Sequence, residues 1–336
     1  MSRSVVQSIL NNSTRKNRPL NILSFPTHER YQENLSKTGH NFFLWQGEGI
    51  KPWVENYADV PKGTVLLNPE KASEQIPLNI DIDLVLSQNK FGQFNIAKQI
   101  SEQLMVPLIS LEHTLPMETW GNYEIHHLRQ MQGDVNVFIS DYSLKKWGWS
   151  EEDALVIHYG VDTDLFSPQD KIKREPKVLS VVNDWINRDW CCGFNLWCET
   201  TGYPNSELPI DVVGDTPGLS EASKSTQDLI NKYSSSRVFL NTSLISPVPT
   251  SLLEAMSCGC AVVSTNNCMI PEIIENGKNG YMSNNPNELR SYVQKLLDNE
   301  ELAEQIGKNA RETVISNFGL KSFVSRWENL FLACTE

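Results

Sequence analysis

The residues best placed to do chemistry lie between Ser246 and Gly280, in the stretch SPVPTSLLEAMSCGCAVVSTNNCMIPEIIENGKNG. Pro247 and Pro249 make 246–250 a loop, because proline fixes φ and lacks an N–H. A short helix then opens at Ser251, with Ser251 as its expected cap and Glu254 three residues on, the spacing of a capping box. Gly259 ends it, and 260–264 (CAVVS) is an apolar run of strand length. Asn276-Gly277 and Asn279-Gly280 mark turns. The unpaired N–H groups at the helix start, near Thr250 and Ser251, form an anion site. The bland reading is that Glu254 only completes the capping box.

These residues need elements to hold them. Strands are expected over 20–25, 41–45, 79–87, 106–111, 134–139 and 154–158, and then over 178–182, 210–213, 238–240 and from Ala261. Helical patterns fall between them. The stretch with Trp53, Tyr57 and Pro61 reads as irregular, and 167–176 as a charged linker. Three helices close the chain, over 286–297, 300–318 and 320–332. Alternating strands and helices in both halves imply an α/β protein with two doubly wound, Rossmann-like domains facing an interdomain cleft. The expected division is a polar tail at 1–19, domains at 20–166 and 177–317, and a final helix at 318–336 that crosses back to the first domain. Ligands in such folds lie outside the carboxyl ends of the strands. That rule nominates Thr27, His28, Glu29, Arg30, Gln88, Asn89, Glu112, His113, Ser140 and Asp141 in the first half. In the second half it nominates Asn183, Asp184, Gly214, Asp215, Asn241, Thr242 and Thr265.

A chain of 336 residues exceeds a usual single core. No apolar run is long enough to span a membrane. The first residues carry Arg3, Arg15, Lys16 and Arg18 without an apolar block, so they do not read as a secretory signal. The sequon form at Asn12 then has no meaning. The net charge of −12 argues against an electrostatic grip on nucleic acid. All seven cysteines lie in the second half, and none forms a C-x-x-C pair. Buried thiols in a reducing cytoplasm fit better than a disulfide framework or a metal site.

Several segments line up with one family. HYGVD at 158–162, followed by Phe166 and Pro168, resembles an "NGVD…F.P" crossing between domains. VVGD at 212–215 resembles a "VGDG" strand end, SLLEAMSCG at 251–259 with 261–263 resembles "LLEAMACG.PVV", and 271–281 resembles "PEII..G.NG". The segment 323–327 is similar to the family's final helix. In this order the segments resemble retaining glycosyltransferases of the two-domain GT-B type, specifically glycosyltransferase family 4 (group 1).

The resemblance implies transfer of a sugar from a nucleotide-diphosphate sugar, UDP- or GDP-linked, to a hydroxyl acceptor, with retention and without metal or other cofactor. It places Glu254 on the ribose and the N–H groups near Thr250 and Ser251 on the diphosphate. Gly214, Asp215 and Asn183 join them as donor contacts, and His113 bonds the sugar or shapes the cleft. His28, Glu29 and Arg30 stand where the family commonly has Gly-Gly beside diphosphate and acceptor, with Asn89 and Asp141 as further acceptor-side candidates.

Two departures stand out. Ser246 occupies the place of the first acid of E-x7-E, which contacts the donor sugar. In the segment 183–193, matching "GR…KG", only Arg188 is basic and Cys192 takes the lysine's place. Arg188 is therefore the diphosphate candidate, against the alternative of an ordinary surface ion-pair residue. A glycan or lipid-linked sugar is the default acceptor, and a lipid-linked one brings peripheral membrane contact. The rival readings are an inactive GT-B-shaped nucleotide-binding or assembly protein, a DNA-base glycosyltransferase, and a sugar-nucleotide epimerase.

Overall fold

Every pairing between the described strands is parallel. The computed structural model describes residues 18–335, apart from positions 48–49, 56–57, 78–79, 118 and 247 and the side chain of residue 73. The expected polar tail up to residue 17, with its sequon, lies outside the described residues, as do Tyr57, Asn79 and Pro247.

By contact density the chain divides into two units. One holds the residues up to Ile139, with Leu144–Ile157 and Phe323–Glu336; the other holds Ser140–Ser143 and His158–Ser322. The first contains β1 (Asn21–Phe25), β2 (Asn41–Trp45), β3 (Thr64–Leu67), β4 (Leu84–Ser87), β5 (Leu108–Glu112), β6 (Val135–Phe138) and β7 (Leu155–Val156). Their order across the sheet is β3-β2-β1-β4-β5-β6-β7. The second contains β8 (Glu175–Val181), β9 (Ile210–Val213), β10 (Ser236–Asn241), β11 (Ala261–Ser264) and β12 (Tyr281–Met282), in the order β12-β11-β10-β8-β9. The order reverses between β1 and β4 in one sheet and between β8 and β10 in the other. In an open α/β sheet those reversals leave the crevices where ligands bind.

The central strands read as continuous apolar runs because both their faces are covered. In β11, Val262 joins the core under one face, with Leu179 and Phe239. Its neighbours Ala261 and Val263 join the core under the other, with Val178 and Leu240. In the first unit the closing helix, Leu320–Thr335, turns Trp327 and Phe331 inward. The Trp327 indole donates to the Tyr31 hydroxyl at 3.1 Å, and Phe331 meets the rings of His40 and Phe42.

Several local expectations need correction. The strand expected from 79 begins only at Leu84, where its register with β1 starts. Just before it, the buried Asp83 accepts from the Asn21 N–H (2.8 Å) and from Arg18 (2.9 Å). The expected linker contains the start of β8, including Pro176. Pro176 is tolerated because the β8–β10 register slips there, so its missing N–H breaks no regular ladder. Strand β3 falls in a stretch read as continuing the irregular segment; it is a half-buried edge strand without a fully buried run. The helix Asn122–Arg129 escaped notice because none of its residues is buried, which leaves no apolar periodicity to read.

Candidate functional site

At the end of β8 the chain closes into a tight loop around Trp185, which is fully buried. Its N–H donates to Thr216 Oγ1 at 3.0 Å and its indole to the Cys192 carbonyl at 2.8 Å. The Arg188 carbonyl accepts from the N–H groups of Cys191 and Cys192 at 3.1 and 2.8 Å. With its core pinned this way, the loop presents Asn183, Arg188 and Trp190 to solvent. Asn183 Oδ1 accepts from the Asp215 N–H at 3.0 Å, which ties the end of β8 to that of β9. The Arg188 guanidinium reaches the Asn183 carbonyl at 3.5 Å. Gly214 has φ +139°, and a Cβ there would overlap the Val182 carbonyl, so only glycine lets the two strand ends approach. The structure therefore brings Asn183, Arg188, Gly214 and Asp215 together. Cys192 is buried, and burial pushes its thiol up to about 12, so it offers no charge at this surface.

The helix after β10 spans Thr250–Ser257 and is preceded by Pro249 at φ −76°, with no side-chain cap. This corrects the capping box. Proline starts the helix one residue earlier, so Ser251 already sits in the first turn and Glu254 lies a full turn deep. Glu254 is 7% exposed, and its Oε2 accepts from the Tyr233 hydroxyl at 3.0 Å. Thr250 is exposed and Ser251 half-buried at the helix start, where the first N–H groups have no intrahelical partner. Ser246 is half-buried in the connection that precedes them. Three nominated strand-end residues are engaged locally. Asn241 donates to Ser264 (2.8 Å), Thr242 to the Gly193 carbonyl (2.9 Å) and Thr265 to the Ser243 carbonyl (2.6 Å).

In the first unit, the loops after β1 and β5 bring His28 and His113 together. Their rings meet edge to face at 5.3 Å, and the His113 ring also stands against Tyr31 at 4.4 Å. His113 is 5% exposed, and its Nε2 has no hydrogen-bond partner among the described residues. Burial lowers its pKa well below the ordinary histidine value, and His28 adds to the effect. His28 keeps exposed surface, yet enough protein surrounds it that desolvation lowers its pKa too, with Glu29 opposing and Lys51 assisting. Glu29 accepts from the Val54 N–H at 3.2 Å, and Arg30 is exposed. The Asn89 side chain accepts from the Phe91 N–H at 2.8 Å, a local turn bond. Asp141 lies instead in the second unit by contact; its N–H and that of Tyr142 donate to Glu272 at 3.2 and 2.5 Å.

Sequence reasoning passed over Lys90 and Tyr233. Lys90 is buried, with its ammonium on the Met131 carbonyl at 2.6 Å and its N–H on Glu112 at 3.1 Å. Burial lowers its pKa to about 8, and Glu112 opposes that shift. Burial likewise raises the Glu112 carboxyl, against the hydrogen bonds from Thr114. A lone lysine after a strand carries no local mark of burial. Among the described residues no three His, Cys, Asp or Glu side chains gather as a metal-ligand set. No described helix is long and apolar enough to cross a membrane.

Residues 222–313, which contain the Thr250 helix and Glu254, match the family described as glycosyl transferases group 1. The chain carries a group 1 glycosyltransferase domain. Over 97 residues it is 35% identical to spore coat protein SA of Bacillus subtilis, covering 28% of this chain and 26% of that protein. Over 319 residues it is 28% identical to a probable sucrose-phosphate synthase of Thermosipho melanesiensis, covering 86% of this chain and 73% of that one. The chain spans about a quarter of the length of the first curated relatives it matches. The structure of Anabaena Alr3699/HepE in complex with UDP superposes with a TM-score of 0.73 at 13% identity, over 94% of this chain and 100% of that one. The matched residues lie within the second unit, and the chain, with its two parallel sheets, has the GT-B fold.

Proposed function

We propose that this protein is a retaining glycosyltransferase that moves a sugar from a UDP- or GDP-linked donor to a hydroxyl of a glycan or lipid-linked acceptor in the cytoplasm. One observation carries the reading: a nearly buried carboxylate, Glu254, sits a turn inside a helix whose first N–H groups open at the exposed end of the second sheet. Glu254 accepts from the ribose hydroxyls. The N–H groups near Thr250 and Ser251, with Arg188, take the charge of the leaving diphosphate, so the reaction runs without a metal. Asn183, Gly214 and Asp215 shape the donor floor, and Ser246 meets the donor sugar. The bond from the anomeric carbon to the β-phosphate oxygen breaks, the bond to the acceptor oxygen forms on the same face, and the acceptor proton passes to the departing phosphate oxygen. His113 is assigned with Arg188 to catalysis, bonding the donor sugar or shaping the site, and His28, Glu29, Arg30, Asn89 and Asp141 are assigned to the acceptor side. The complex of the structurally similar Alr3699/HepE with UDP-glucose supports a UDP-linked donor.

Ser246 and the buried Cys192, in the places of an acid and a lysine, favour a second reading in which the protein binds nucleotide without turnover. Calorimetric titration of UDP-, GDP- and ADP-sugars, with release of nucleoside diphosphate followed in parallel, separates the two. Glu254→Ala is expected to weaken nucleotide binding about 10- to 100-fold, the loss of a charge-assisted hydrogen bond. Unchanged affinity in a folded variant would sink the assignment of Glu254.

A further inference from the structure

We propose that Phe91 and Trp120 form a platform on which a pyranose ring of the acceptor stacks, with the Asn89 amide and the Trp120 indole donating to its hydroxyls. The acceptor is then a glycan, held through its sugar. The inference rests on the reading of the first unit as the acceptor side. Phe91 lies in the connection after β4 and Trp120 in the connection after β5, and these strands are neighbours in the first sheet. That is the carboxyl end of the strands, where ligands of an open α/β sheet bind. Phe91 is exposed and Trp120 half-buried. Their ring centroids are 5.4 Å apart, and they meet the fully buried Trp147 at 6.4 and 6.2 Å.

Buried polar bonds fasten the two connections to each other. One oxygen of the Glu112 carboxylate accepts from the Lys90 N–H at 3.1 Å, and the other from the Thr114 N–H and hydroxyl at 2.8 and 2.6 Å. The Lys90 ammonium donates to the Met131 carbonyl at 2.6 Å, and the Trp147 indole to the Thr114 carbonyl at 2.9 Å. Burying an ammonium and a carboxylate is costly unless both are hydrogen-bonded. Here those bonds fix the residues on either side of Lys90. Asn89 Oδ1 accepts from the Phe91 N–H at 2.8 Å, which commits the amide oxygen to the turn. Among the described residues neither the Asn89 amide nitrogen nor the Trp120 indole N–H has a hydrogen-bond partner, and neither residue is buried.

That combination selects the occupant. The face of an aromatic ring is electron-rich and attracts the C–H groups on one side of a pyranose. The sugar's rim carries hydroxyls, each of which needs a partner once water is displaced. Two N–H donors beside the rings supply such partners. An acyl chain would cover the rings as well, yet leave both donors unpaired. A nucleic-acid strand would stack on them against a net charge of −12.

The test is saturation-transfer NMR of the full chain with maltotetraose, cellotetraose and chitotetraose, in the absence of nucleotide. At least one is expected to bind at millimolar concentration, with saturation strongest on ring C–H protons. Trp120→Ala is expected to weaken it about tenfold or more, as for a lost aromatic anchor, and Phe91→Ala several-fold. Trp120→Phe keeps a ring and removes only the N–H donor, so an intermediate loss is expected even if the alanine variant folds poorly. Trp190→Ala removes an exposed tryptophan of the second unit and should leave the signal intact. Binding of none of the sugars, or binding lost in Trp190→Ala and kept in Trp120→Ala and Trp120→Phe, overturns the platform. So does sedimentation with phosphatidylcholine–phosphatidylglycerol vesicles that is lost in Trp120→Ala, since it makes the rings a membrane contact. A chain that binds UDP but no sugar loses this inference alone. One that binds sugar here but no nucleoside diphosphate loses the transferase reading, and the rings remain a sugar-binding surface.

Discussion

The imidazoles of His28 and His113 meet edge to face, 5.3 Å between ring centroids, although they follow different strands of the first sheet. Desolvation depresses both pKa values, so both rings stay neutral in the folded chain where an unfolded chain takes up protons. The sign follows from proton linkage. The histidine contribution is complete above the unfolded pKa, about 6.5, and is lost as the pH falls below it toward the folded values. Thermal unfolding midpoints are therefore expected to drop between pH 7 and pH 5, and His113→Gln should flatten that drop. His28 and His40, also depressed by burial, keep the remainder. An equal drop in the variant contradicts the assignment.

Arg188 is exposed, and its guanidinium lies 3.5 Å from the Asn183 carbonyl. Arg188→Ala is expected to change folding stability by no more than about 0.5 kcal/mol, as at most surface sites. The loss in kcat is expected to be on the order of 10²-fold, as when one preorganised charge stabiliser is removed. Lysine should restore part of it. Steady-state kinetics beside a urea titration reads both; intact kcat in Arg188→Ala removes this residue from the diphosphate site.

Gly214→Ala tests how the donor floor is built. The added methyl would meet the Val182 carbonyl, at a φ that side chains rarely adopt. A cost of about 1–3 kcal/mol is expected from the strained backbone alone. Urea unfolding should show that loss, and nucleotide titration should show weaker binding, because Asn183 and Asp215 are held together across this position. A variant as stable as wild type would mean that the strand ends part freely.

Lys90 gives a pH effect of the opposite range. Its folded pKa of about 8 lies below the ordinary lysine value of 10.5. Between these values the unfolded chain binds more protons, so the lysine's contribution improves as the pH rises from 8 toward 10.5. Below pH 8 both states carry the charge, and the burial cost is felt in full. Stability of wild type relative to Lys90→Met should therefore rise over that interval, measured by denaturant midpoints at pH 8 and pH 10. A constant difference would show that the ammonium is better solvated than its surroundings imply.

The α/β class was legible because its central strands are buried on both faces and so appear as unbroken apolar runs, as in 261–264. The long closing helices were legible from their apolar spacing. Edge strand β3 and the exposed helix Asn122–Arg129 were not, since burial rather than backbone preference writes the readable pattern. The start of the Thr250 helix was misread by one residue. The pattern Ser251–Glu254 suits a cap, but Pro249 sets the dihedral that begins the helix earlier.

What the sequence alone determined is what neighbouring residues decide among themselves: the loop–helix–strand unit around Glu254, the glycine at 214 and the order of the strands along the chain. What only the tertiary structure decided is which strands lie side by side, and hence which loop ends meet. Strand order reverses between β1 and β4 and between β8 and β10. Those reversals, and the packing of helices over the sheets, set His28 against His113, Asn183 against Asp215 and the Tyr233 hydroxyl on Glu254. Burial, the force that assembles such pairs, is non-directional and acts between segments far apart in the chain, so no local spacing records it.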